Sequence, residues 1–146
     1  MNKQVLVVLT DGFEEVEAIT PVDLLRRAGF QVVIAGLKCI SVTGRQGVRV
    51  ETEILFENVT GLFDAIVLPG GPGYKTLAES DLVLKTVRGF FRDGSLSCAI
   101  CAAPKILAEA GVLEGKTYTC YPGTNKATGG ADYVDREVVK DGNIIT

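Results

Sequence analysis

Ser97-Cys98-Ala99-Ile100-Cys101-Ala102-Ala103-Pro104 is an apolar, strand-like run that stops at a cysteine and turns helical. Cys101 is thereby placed at a strand-to-helix corner, where α/β enzymes present a nucleophile. Pro104 falls in the first helical turn, where its missing N–H costs nothing. A thiol at such a corner lies near a helix N-terminus, whose partial positive charge and unpaired N–H groups favour thiolate, so a low-pKa thiol is expected. The geometry is that of the hydrolase nucleophile elbow, although the outer glycines of that motif are absent. Free cysteine is also among the most buried residue types, and on the local sequence alone an inert core residue stays open as the alternative.

Outward from this corner, short apolar runs alternate with helical patterns. Gln4–Leu9, Gln31–Ala35, Ala65–Leu68, Leu96–Ile100 and Lys116–Cys120 read as strands of a parallel sheet buried on both faces. Val16–Ala28 places Ala18, Val22 and Leu25 on one helical face, and Asp81–Asp93 does the same with Val83, Leu84, Val87, Phe90 and Phe91. Gly29 ends the first helix, after Arg26 and Arg27 in its last turn. The segment 40–55 reads as a hairpin excursion around Thr43-Gly44-Arg45-Gln46-Gly47. Alternating strands and helices predict a doubly wound α/β fold with right-handed crossovers. The segment 138–146 reads as two short strands around an Asp-Gly turn, which leaves a sheet face in need of cover.

The chain has 146 residues, 47% hydrophobic and 23% charged, which suits one globular domain over residues 1–146 with a substantial core. A net charge of −3 and a pI near 5.0, with no basic block, argue against nucleic-acid backbone binding as the main role. The N-terminal apolar run is too short for a signal peptide, and no run of about 18 apolar residues suggests a membrane span. Four cysteines without an export signal are expected to stay reduced, in a cytoplasmic protein. Cys98 and Cys101 do not fit a redox C-x-x-C motif, because Cys98 falls inside the strand. With no second such pair and no histidine in the chain, a zinc site is disfavoured, and no metal is expected.

Two more loops fall at carboxyl ends of strands, on the same sheet edge as Cys101, where open α/β folds build their sites. In Pro69-Gly70-Gly71-Pro72-Gly73 the backbone can approach a ligand closely, and with the N–H of Ala102 it can form an oxyanion hole. An ordinary glycine turn is the bland alternative. Neither a phosphate loop nor a dinucleotide fingerprint is present. In Asp11-Gly12-Phe13-Glu14-Glu15-Val16-Glu17, carboxylates cluster at a helix start, and Glu14 and Glu15 are expected to do no more than complement the helix dipole. Glu17 sits a turn farther in, beside Val16 and Ala18, where a protonated carboxyl can donate a hydrogen bond to a thiolate.

Gly12-Phe13-Glu14-Glu15-Val16-Glu17, the run from Pro21 to Gly29, Leu68-Pro69-Gly70-Gly71 and Ala99-Ile100-Cys101-Ala102-Ala103-Pro104 together resemble the ThiJ/PfpI superfamily. The likeness is greatest to the branch containing the parkinsonism-associated deglycase and its bacterial relatives, and it runs over essentially the whole chain. It implies a flavodoxin-like sheet of the class I glutamine amidotransferase-like type, a homodimer and no cofactor. By position, Cys101 is similar to the family's reactive cysteine and Glu17 to its protonated partner. Gly71 and Ala102 match its substrate-facing N–H groups. Gly70, Tyr121, Arg45 and Arg27 match residues lining the site or the dimer contact. Tyr121-Pro122 stands where some members carry a histidine, and Ala102 where proposed proteases do, so Cys-His peptidase chemistry is unsupported. The family's usual continuation, a Ser-Arg-Gly-Pro-Gly turn and a final helix, is not matched.

The implied activity is cysteine-dependent conversion of α-oxoaldehydes such as methylglyoxal or glyoxal, or of their early protein adducts, to hydroxy acids. An oxidative-stress sensor or redox-regulated chaperone using the same cysteine is the rival reading. Thiazole monophosphate biosynthesis ranks last, because no phosphate-binding motif is present.

Overall fold

The computed structural model describes residues 3–125 and 129–146. Its secondary elements run β1 (Gln4–Leu9), α1 (Glu15–Arg27), β2 (Gln31–Gly36), β3 (Ser41–Thr43), β4 (Arg49–Glu51), β5 (Ile54–Leu55), β6 (Ala65–Leu68), α2 (Tyr74–Ala78), α3 (Asp81–Arg92) and β7 (Leu96–Ala99). After the corner come α4 (Pro104–Glu109), β8 (Thr117–Tyr118), β9 (Asp132–Tyr133), β10 (Lys140–Asp141) and β11 (Ile144–Ile145). Seven strands form the central sheet in the order β10-β11-β7-β6-β1-β2-β5, and every neighbouring pair is parallel except β10 with β11. The flavodoxin-like expectation is met.

Period-two alternation explains how the sheet is buried on both sides. Val5, Val7 and Leu9 of β1 face α1 and the β3–β4 hairpin, packing with Phe13, Ala18, Val22 and Val42. Leu6 and Val8 face the other way, into a cluster with Leu77, Val83, Val87, Ile106 and Leu107 from α2, α3 and α4. The amphipathic period of α3 delivers that face, and Ser80 caps its start, its Oγ accepting the Val83 N–H at 3.4 Å. Gly29, at φ +86, closes α1 with its N–H on the Arg26 carbonyl at 3.0 Å.

Three details depart from the sequence reading. Ile54–Leu55 leaves the hairpin and joins the edge of the main sheet beside β2. The segment 116–120 supplies only Thr117–Tyr118, paired with β9 in a separate two-stranded sheet. The place beside β7 is instead taken by β11, so the segment is fastened across the chain end, Thr117 N–H donating to Asp141 Oδ2 at 2.9 Å. The terminal hairpin therefore forms as read, but as part of the main sheet. On the α1 side, an open apolar groove of about 430 Å³ remains, lined among others by Val16, Pro21, Leu24, Val67, Cys98 and Ile145.

No helix among the described residues is long and apolar enough to cross a membrane.

Candidate active site

The strand order reverses direction at β1: the chain steps from β1 to β2 on one side, then returns to β6 and β7 on the other. Open α/β sheets form their crevice beyond the carboxyl ends of strands at such a point. The first turn of α1 and the loops after β6 and β7 meet there, carrying Glu17, Gly70-Gly71 and Cys101.

Cys101 has φ +61, the left-handed region, and is the sole non-glycine residue there among the described residues. Side-chain residues pay on the order of 1–3 kcal/mol for such backbone, and it persists only where the surroundings enforce it. They do so on both sides. The Tyr121 N–H donates to the Cys101 carbonyl at 2.7 Å, and the Ala103 N–H to the Ile100 carbonyl at 3.0 Å. β7 ends at Ala99, one residue before the expected boundary, so Ile100 belongs to the corner and is half exposed.

The half-buried Cys101 thiol faces the Glu17 carboxyl and the backbone N–H groups of Ala102 and Gly71, which together set its electrostatics. Burial pushes this thiol up, the Glu17 charge adds to the rise, and the two N–H groups only partly offset it. The expectation of a low-pKa thiol from the helix start is thus corrected. Helix α4 has only six residues and starts three positions beyond Cys101, so its end charge is weak at the sulfur. The Glu17 contribution has a sign set by its proton: a carboxylate repels a thiolate, whereas a carboxylic acid donates a hydrogen bond to it.

Glu17 is fixed by the β6 loop. Its Oε2 accepts the Gly70 N–H at 2.8 Å, and Pro21, one helical turn on, has no N–H to give the Glu17 carbonyl. Gly70 must be small: a Cβ there would lie 2.6 Å from Glu17 Oε2 and 2.9 Å from Cys101 Cβ. Gly71 must be glycine for conformation as well, with φ +79 and a built Cβ only 2.5 Å from Glu14 N and Gly12 O.

The other residues picked from sequence divide. Arg45 borders the site through Glu14: its Nη1 lies 3.5 Å from Glu14 Oε2, and the Glu14 N–H bonds to the Gly70 carbonyl at 3.0 Å. Tyr121 adjoins Cys101 through its backbone and exposes its ring. Arg27 is not brought to the site: it lies exposed at the far end of α1, paired with Asp23 at 3.0 Å. Cys98 is a groove residue whose thiol burial pushes up to about 11, in keeping with an unreactive sulfur.

The loop carboxylates do more than the helix-dipole reading allowed. Asp11 Oδ1 accepts the Thr43 N–H at 2.8 Å, Glu14 pairs with Arg45, and Glu15 Oε1 accepts the Gln46 N–H at 2.7 Å. These bonds fasten the loop to the turn of the β3–β4 hairpin. The only sequence signal for them is the coincidence of an acidic loop with a glycine-flanked turn, and no local spacing links the two.

Several known proteins are similar to this chain over nearly its whole length. A deglycase of Pyrococcus abyssi is 38% identical over 98% of this chain and 88% of its own length. The protein dj-1beta of Drosophila melanogaster is 42% identical over 100% of this chain and 81% of its own. The crystal structure of that fly protein superposes with a TM-score of 0.95, covering 99% of this chain and 81% of that one. A DJ-1 superfamily protein from Salmonella typhimurium superposes at 0.92 with 37% identity, over 98% of this chain and 80% of that one. Residues 3–146 match the family model described as DJ-1/PfpI. Site geometry, sheet order and likeness over nearly the full chain agree: the chain belongs to the DJ-1/PfpI family.

Proposed function

We propose that this protein is a cysteine-dependent deglycase or glyoxalase, converting α-oxoaldehydes, or the early adducts they form on proteins, to hydroxy acids. The observation that carries the reading is the Cys101 thiol, held on strained backbone in contact with the Glu17 carboxyl and two N–H groups. Relatives named deglycases, at 34–38% identity, support it.

In this reaction the thiol proton passes to Glu17 and the sulfur adds to the aldehyde carbon of methylglyoxal. As the sulfur loses its charge, the N–H groups of Gly71 and Ala102 become free to hold the new oxyanion, which accepts the proton from Glu17. Glu17, again a carboxylate, takes the proton from the former aldehyde carbon and delivers it to the neighbouring carbon, while the hydroxyl proton passes from the first oxygen to the neighbouring oxygen, leaving a thioester of the 2-hydroxy acid. Water cleaves the thioester, releasing lactate and the thiol, so that one aldehyde and one water give one hydroxy acid. With a protein adduct, the sulfur displaces the amine from the aminocarbinol carbon: the C–S bond forms as the C–N bond breaks, the proton held by Glu17 goes to the leaving nitrogen, and the same hemithioacetal results.

The acting form is a cytoplasmic homodimer in this reading. Val16 and Leu24, exposed on α1, support a contact surface there. The test is hydroxy-acid formation from methylglyoxal in a buffer free of reactive amines, by the parent protein, Cys101→Ser and Glu17→Ala. Turnover lost in both variants, with the fold intact, is expected. Turnover unchanged in Glu17→Ala removes the proton role of that carboxyl. A folded parent protein with no turnover favours the redox-sensor reading of the same sulfur.

A further inference from the structure

The turn at 43–48 brings Arg45 beside Glu14, next to the Gly70 loop of the site, and the contacts that dock this turn converge on Glu15. Glu15 Oε1 accepts the N–H of Gln46 at 2.7 Å and of Val48 at 3.3 Å. A Cβ at Gly44 would collide with that carboxylate, so the turn closes over Glu15 because residue 44 has no side chain. The Gly12 N–H donates to the Thr43 carbonyl and the Arg45 N–H to the Phe13 carbonyl, each at 2.8 Å, and these bonds align the same two segments. Burial pushes the Glu15 carboxyl up, but its own N–H, those of Gln46 and Val48, and the Arg45 guanidinium outweigh it and leave it below its ordinary value.

We propose that Glu15 is a positioning residue of this site: by docking the hairpin turn it sets the Arg45 guanidinium beside Glu14, whose N–H bonds to the carbonyl of Gly70 next to Cys101. The loop and the first turn of α1 there are otherwise acidic, with Asp11 and Glu14 in the loop and Glu15 and Glu17 in the helix. A fixed cation in that place offsets their repulsion of electron-rich or anionic reactants approaching the sulfur. The role deepens the proposed reaction and rests on Cys101 as its nucleophile, but it can be measured without turnover.

The probe is the ratio of Cys101 alkylation rates by iodoacetate and by iodoacetamide, which share a leaving group and differ in charge. Glu15→Ala and Glu15→Gln both remove the negative charge, yet only glutamine keeps an oxygen for the two N–H groups. The ratio is expected to be about fivefold lower in Glu15→Ala than in Glu15→Gln, with the iodoacetamide rates similar. Gly44→Ala, which evicts the carboxylate from the turn side, and Arg45→Ala, which removes the cation, are each expected to lower the ratio against the parent. A merely structural role moves both reagents together and leaves the ratio unchanged. Equal ratios in Glu15→Ala and Glu15→Gln, or an unchanged ratio in Gly44→Ala or Arg45→Ala, overturn the proposal. Loss of oxoaldehyde turnover alone does not, because alkylation reads only the sulfur and the charge around it.

Discussion

Replacing Gly70 by alanine disturbs the pairing of Glu17 with Cys101 without touching either side chain. The added methyl would stand 2.6 Å from Glu17 Oε2, 2.9 Å from Cys101 Cβ and 3.2 Å from the Ile100 carbonyl. Ordinary contacts need about 3.5 Å, so the carboxyl has to withdraw by roughly 1 Å, and its bond from the Gly70 N–H is strained as it goes. Displacing a reacting group by about 1 Å costs on the order of 10²-fold in rate, within the roughly 10²–10⁴-fold that proton transfer by a positioned group contributes. Gly70→Ala is therefore expected to lower kcat for hydroxy-acid formation by about 10²-fold, with overpacking costing about 1–3 kcal/mol of stability. Gly111→Ala is the control. Its φ of +75 strains an alanine, yet nothing lies within 4 Å of the new Cβ. It should lose about 1–2 kcal/mol in urea unfolding and keep the parent kcat. If folded Gly70→Ala turns over within about threefold of the parent, the geometric coupling of Glu17 to Cys101 is not what drives the reaction.

Glu17→Gln removes the carboxylate charge that helps hold the Cys101 thiol up. The pH midpoint of Cys101 alkylation is expected to move down while turnover falls, and an upward move contradicts the electrostatic account. Peptide mapping after iodoacetamide at pH 8 should find Cys101 and the exposed Cys39 modified well before Cys98, whose thiol is pushed up to about 11. Asp141 is held below its ordinary value first by the Thr117 N–H and then by Lys116, and Asp64 by the Lys3 ammonium and the Gln4 N–H. A depressed folded pKa stabilises fully above the ordinary carboxylate range and is lost as pH falls through the folded value. The urea midpoint should therefore stay flat from pH 7 to about 5 and drop below about pH 4, less so in Asp141→Asn. Ile106→Ala empties a fully buried position on α4 and should cost about 2–5 kcal/mol in urea unfolding while the folded fraction keeps its turnover.

Much of the sheet could be read from local pattern because its strands are buried on both faces and bounded by glycine and polar residues. Gln4–Leu9 and Ala65–Leu68 fall where the sequence put them. Ile54–Leu55 reads as part of a hairpin and Thr117–Tyr118 as part of a longer main-sheet strand, and both pair elsewhere, because two residues carry no period and their partners are chosen by which sheet edge stands free. The site divides in the same way. Cys101 announces itself by where an apolar run stops, and the Gly70-Gly71 pair by composition. The contact between Glu17 and Gly70 spans 53 positions and is a product of strand order. The resting state of the sulfur is not legible from the helix start alone, because α4 is short and the Glu17 charge stands close. Arg27 followed from positional likeness alone, and its place at the far end of α1 separates it from the chemistry within this chain.

The most direct test of the account is to quench the protein during turnover of methylglyoxal and map the covalent adduct by peptide mass spectrometry. A substrate-derived adduct on the peptide carrying Cys101, formed and lost at the rate of turnover and absent from Cys101→Ser, is the predicted result. Turnover that proceeds with no adduct at Cys101, or that continues in Cys101→Ser, contradicts it.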